Sequence, residues 1–199
     1  MSIKSINLVV EGRLDQKIME KICGPLGLGI GRVLGKKGRS FIEKNLRSFH
    51  QAAAQTGSNW LVLVDLDADE CAPQYLHDHS PGSAHNFLLR VAVRELEAWL
   101  LADRERIANF LGVAESKIPF RVEEVFDPKQ LIVDLARKSR KREIRDDLPP
   151  QPGVTAKQGI LYNARMGEFI NRYWRLEEAR KSSDSLNRMY ARLKSFRSR

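Results

Sequence analysis

Two cysteines in 199 residues, Cys23 and Cys71, are too few to build a disulfide framework, so a reducing, cytoplasmic setting is expected. No apolar run approaches the roughly 18 residues that a bilayer-spanning helix needs, and no membrane partner is expected. The short apolar stretch Ile6 to Val10 is closed by Glu11 without a cleavage-site pattern, which argues against a secretory leader. Nucleotide-binding glycine motifs are missing too. The segment Gly24 to Ser40 is glycine-rich yet contains neither GxxxxGK[ST] nor GxGxxG. Cys71, His77, His79 and His85 do not follow an established zinc spacing, so a loop whose histidines touch substrate or nothing is expected there. No internal repeat or low-complexity tract is visible.

What is present is the composition of a folded globular chain, 42% hydrophobic and 30% charged. The formal net charge is +9, and it is unevenly placed. Met1 to Ala136 carries 17 Lys/Arg against 18 Asp/Glu, whereas Arg137 to Arg199 carries 17 against 7. A neutral front half with an acidic focus and a basic tail suit a polyanionic partner, nucleic acid first among them. A solubilising helical surface is the plainer reading of the same tail.

The acidic focus is WLVLVDLDADE, Trp60 to Glu70. Its branched apolar run reads as a strand buried on both faces of a parallel sheet. It ends in Asp65, Asp67, Asp69 and Glu70, at the strand edge where open α/β sheets bind ligands. In extended chain, residues two apart point the same way, which would align Asp65 with Asp67 and, if the strand continues, Asp69. Same-side carboxylates suit a hard cation such as Mg²⁺, while a solvated acidic turn is the structural alternative. Upstream, Ile3 to Val10 reads as a first strand that hands over at Glu11-Gly12 to a helix with Leu14, Ile18, Met19 and Ile22 on one face. Glu11 and Asp65 thus occupy equivalent edge positions. Asp15 is either a further acid of the site or a favourable first-turn residue.

VVEGRLD at Val9 to Asp15, followed by VDLDAD at Val64 to Asp69, resembles the TOPRIM domain of topoisomerases, bacterial primases and related nucleases. The resemblance implies a compact α/β sheet that binds Mg²⁺ (or Mn²⁺) for phosphodiester chemistry, with Glu11, Asp65 and Asp67 as its acids and Asp69 as an extra one. AVRELEAWLLAD, Ala92 to Asp103, is similar to small stand-alone TOPRIM-like proteins, themselves similar to the nuclease part of the OLD (overcoming lysogenization defect) family. This adds Glu97, and more weakly Asp103, to the implied metal site. For Glu97, a first-turn acid interacting with the helix dipole is the alternative. Glu11 is left as either ligand or general base.

Around these motifs the spacing predicts a short strand near Gly31 to Leu34, a helix over Phe41 to Gln55, a strand over Phe87 to Val93 and one helix from Leu96 to Leu111. Helices are predicted over Pro128 to Lys141, Lys157 to Glu178 and Leu186 to Arg197, with Leu148 to Gly153 a stiff linker. The expected architecture is α/β: a mostly parallel sheet of about four strands flanked by helices in residues 1–112, and a basic helical extension in 113–199. Lys36, Lys37, Arg39, Arg140, Lys141 and Arg142 are the candidate nucleic-acid contacts. Lys129 and Lys157 are candidates to offset charge developing at a scissile phosphate. No topoisomerase tyrosine context, primase zinc module or ATPase motif is present, so hydrolysis of DNA or RNA is expected, in phage defence or nucleic-acid processing. A homodimer and a separate partner ATPase stay open. A non-catalytic binding module with a structural ion is the alternative of a different class.

Overall fold

The computed structural model describes residues 4–67 and 71–197. The chain is α/β, with four parallel strands in the order β2-β1-β3-β4. Strands β1 (Ser5–Val10) and β3 (Asn59–Asp65) are central, and β2 (Gly29–Gly35) and β4 (Phe87–Ala92) form the edges. Trp60, Val62 and Val64 pack with Ile42, Leu46 and Phe49 in one core. Their alternates Leu61 and Leu63 are equally buried, so both faces of β3 are covered, as a continuous apolar run requires.

Helices α1 (Arg13–Cys23) and α2 (Arg39–Thr56) make the connections. Leu14, Ile18, Met19 and Ile22 of α1 form the buried stripe that their spacing predicts. Asp15 reaches back to accept the Gly12 N–H at 2.8 Å, so it caps the first turn of α1. Between β2 and α2 the basic turn folds onto the end of β1: the Lys36 N–H donates to the Val10 carbonyl at 2.8 Å, and the Gly38 N–H to that of Glu11 at 3.3 Å. Gly35 starts this turn at φ +89°, and a Cβ there would overlap the Val10 carbonyl. Gly35→Ala is therefore expected to destabilise the chain by about 2 kcal/mol or more, seen as a lowered Tm in a thermal melt.

Two compact units divide the chain: Met1–Val93 with Asn187–Arg199, and Arg94–Leu186. The sequence reading places its boundary at 112/113 instead. Within the second unit, α4 (Leu96–Leu101) packs on α6 (Pro128–Arg137) and α9 (Leu176–Ser182), which draws the segment after β4 into a helical core of its own. The remaining helices are α3 (Ala72–His79), α5 (Arg104–Leu111), α7 (Arg142–Asp147), α8 (Tyr162–Arg172) and α10 (Asp184–Arg197). No helix among the described residues is long and apolar enough to cross a membrane.

Three local expectations are corrected. Part of the segment expected as a loop is a helix, α3, started by Pro73 in its first turn and anchored by buried Tyr75, while the stretch from Ser80 to His85 is irregular as expected. The single helix over Leu96 to Leu111 is two, α4 and α5, broken at Ala102-Asp103. The helix predicted from Lys157 begins only at Tyr162 and stops at Arg172, before α9.

Candidate functional site

Parallel pairing sets Ile6 against Asn59 and Val9 against Val62, which brings the ends of β1 and β3 to one level. Glu11 follows β1 directly, and its Oε1 accepts the backbone N–H of Asp65 at 2.9 Å. The Glu11 carboxyl, 54 residues away in sequence, is therefore fastened to the backbone at the end of β3, at the carboxyl edge of the sheet. Burial pushes the Glu11 carboxyl up to about 7, and the charges of Asp67 and Asp15 push it the same way. The Asp65 N–H and Arg39 oppose the rise without cancelling it.

Asp65 is half-buried as the last residue of β3. The strand stops there, and Asp67 sits in the left-handed region at φ +52°. The expected extended alternation of Asp65, Asp67 and Asp69 is thus corrected to a strand end and a turn. Asp69 itself lies outside the described residues. Exposed Asp67 turns to Arg39, whose Nη1 is 3.5 Å from its Oδ2. The same nitrogen donates to the carbonyls of Asp65 (3.3 Å) and Leu66 (3.1 Å). A residue expected to contact nucleic acid is thus the cation that closes the acidic turn.

Arg39 is itself held. Its Nε donates to Glu43 Oε1 at 2.7 Å, and its guanidinium lies 4.6 Å from the Tyr75 ring centre. Tyr75 donates to the same Glu43 oxygen at 2.9 Å, and the His79 ring stacks on Tyr75 at 4.1 Å. Burial works to raise the Glu43 carboxyl, but the hydrogen bonds from Arg39 and Tyr75 outweigh it and hold the group below its ordinary range. Sequence reasoning missed Glu43, Tyr75 and His79. The i,i+4 spacing of Arg39 and Glu43 was the only local signal. Lys36 and Lys37 are exposed on the adjoining turn, with the Lys37 ammonium 5.1 Å from the Phe41 ring centre.

In the second unit, Glu97 is only 3% exposed, in the first turn of α4. Its Oε1 accepts from the Tyr162 hydroxyl at 3.3 Å and lies 3.4 Å from Lys129 Nζ. Glu95 Oε2 accepts the Lys129 backbone N–H at 3.0 Å. Burial, then the charges of Glu97 and Glu95, hold the Tyr162 phenol well above its ordinary range, so it donates to Glu97 as a neutral group. Asp103 is tied to Arg175 by hydrogen bonds of 2.7, 2.8 and 3.2 Å, a structural use of the acid. Lys157 is exposed in an irregular segment. Among the candidate basic contacts, Lys141 donates to the carbonyls of Asn109 and Phe110 and so caps α5. Arg142 pairs with Asp146 at 3.4 Å, and the Arg140 side chain is exposed.

Among the described residues, no three of His, Cys, Asp and Glu gather closely enough to cage a metal ion. Mg²⁺ does not demand such a cage: it retains several waters and is commonly held by one or two carboxylates together with substrate phosphate oxygens. The donors at the sheet edge are hard carboxylate oxygens, and the charges of Asp67 and Asp15 add to burial in raising the Glu11 carboxyl. That chemistry fits a divalent cation. No family, curated protein or solved structure that was compared matches the chain.

Proposed function

We propose that this chain is a divalent-metal-dependent phosphodiester hydrolase acting on DNA or RNA, in phage defence or nucleic-acid processing. The reading rests on one observation, the Glu11 carboxylate fastened to the end of β3 at Asp65, with Asp67 charge close enough to raise it. Asp65 and Asp67 would hold Mg²⁺ or Mn²⁺, which when bound supplies a polarised phosphoryl oxygen and an activated water. Glu11, poised near neutral pH, is suited to take a proton from the attacking water. Arg39 fixes the turn that carries Asp67, and the exposed Lys36 and Lys37 beside it offer cationic contacts for the flanking phosphates.

A second reading is favoured by a specific contact. Arg39 already neutralises part of the Asp67 charge, as it would in a non-catalytic nucleic-acid- or protein-binding module with a structural ion. Plasmid and RNA substrates incubated with Mg²⁺ or Mn²⁺ separate the two. Cleavage that is lost in Asp65→Ala while binding is retained is the expected result. Salt-sensitive binding with no cleavage in either metal would favour the module.

A further inference from the structure

At the outer edge of β4, away from the acids, two arginines of the first unit share a pocket of about 270 Å³. Arg90 comes from the strand and Arg192 from α10, and Ser80, Gly82, Ser83 and Phe87 complete the part that matters here. No carboxylate lines it. Among the described residues, neither guanidinium has a hydrogen-bond or ion-pair partner, and the Arg90 Nε–H is buried without an acceptor. Arg39, the other half-buried arginine described for this unit, has Glu43 beside it. Desolvation, and after it the Arg192 charge, hold the Arg90 guanidinium below its ordinary value. A half-buried cation that faces a second cation and no anion is costly, because burial removes water without supplying a counter-charge.

We propose that this pocket binds a phosphate group. Two guanidinium forks match the oxygens of a tetrahedral anion, and each can donate in pairs. The Ser80 and Ser83 hydroxyls add neutral donors at the rim. The volume suits a phosphate with its waters better than a drug-sized ligand. Being an edge strand, β4 also turns backbone groups outward that no neighbouring strand takes up. The site is independent of the acidic edge and of the hydrolase reading. It needs no metal, so it is tested with metal removed.

The full chain is melted in EDTA with inorganic phosphate against chloride at matched ionic strength, and phosphate affinity is read by calorimetry. Phosphate is expected to raise the Tm beyond chloride. Arg192→Ala, at an exposed helical position, is expected to weaken the phosphate Kd by about tenfold or more. Arg192→Glu is expected to raise the Tm without phosphate, since it gives Arg90 a partner, and to abolish the phosphate response. A second arm uses a single-stranded oligonucleotide without terminal phosphates. Weakening of its binding by both variants identifies the ligand as a backbone phosphodiester, whereas weakening of inorganic phosphate binding alone identifies free phosphate. The proposal is overturned if phosphate adds nothing beyond chloride, or if wild type and Arg192→Glu bind it equally.

Discussion

Glu11→Gln is expected to raise the Tm at about pH 8 by roughly 4–8 °C while cutting cleavage at least about a hundredfold. In the folded chain the Glu11 carboxyl titrates at about 7 instead of 4.5. Between these values the native state keeps a proton that the unfolded chain has released, so stability falls as pH rises through the window and stays low above it. The displacement corresponds to roughly 3 kcal/mol, which solvent screening at a partly exposed edge reduces to about 2. Gln keeps an oxygen for the Asp65 N–H at the same place and carries no charge to desolvate. Wild type and variant should therefore converge near pH 4.5 and separate above pH 7. Mg²⁺ should narrow the gap by stabilising the wild type, because only the carboxylate gains from a nearby cation. A variant less stable than wild type at pH 8 would show that the strain assigned to this carboxylate is absent. Unchanged cleavage would remove Glu11 from the chemistry while leaving the stability argument standing.

The same edge shows what local pattern can carry and what it cannot. The run from Trp60 to Val64 was legible as a buried parallel strand because branched apolar residues without alternation have few other uses. Glu11 and Asp65 were legible as partners because both end strands, and parallel register then places them together. Asp67 was less so: its backbone is left-handed, and its carboxylate meets Arg39, 28 residues away in sequence. Tyr75 and His79 lay hidden among Pro, Ser and His, residues that ordinarily mark loops, although Pro73 in the first turn allows a helix. Glu97 shows the limit most plainly. Its position after a strand suggested a ligand, and nothing within a helical turn of it announces Tyr162, which lies 65 residues on and donates to it in the second unit's interior.

Asp103→Ala should be the most destabilising single change at a polar position, costing roughly 3 kcal/mol and lowering the Tm by about 6–12 °C. Asp103 is 1% exposed at the break between α4 and α5, and its two oxygens receive the Arg175 Nε, Nη2 and backbone N–H. The carboxylate in turn holds the Arg175 guanidinium well above its ordinary value. Truncation leaves a part-buried N–H without its acceptor and a guanidinium that keeps exposed Glu105, 2.7 Å away, as an ionic partner. Asn should recover part of the loss, since its oxygen can accept one of the three bonds but carries no charge to meet the guanidinium. The pair also explains the helix break. Arg175 draws Asp103 out of the helical backbone at φ −86° and ψ 69°, a geometry that α4 and α5 could not share as one continuous helix. If Asp103→Ala melted within a degree of wild type, the pair would be a surface contact in energy despite its burial, and the break would need another cause. The cleavage proposed above should be unchanged in the folded variant, because both Asp103 oxygens are taken up by Arg175.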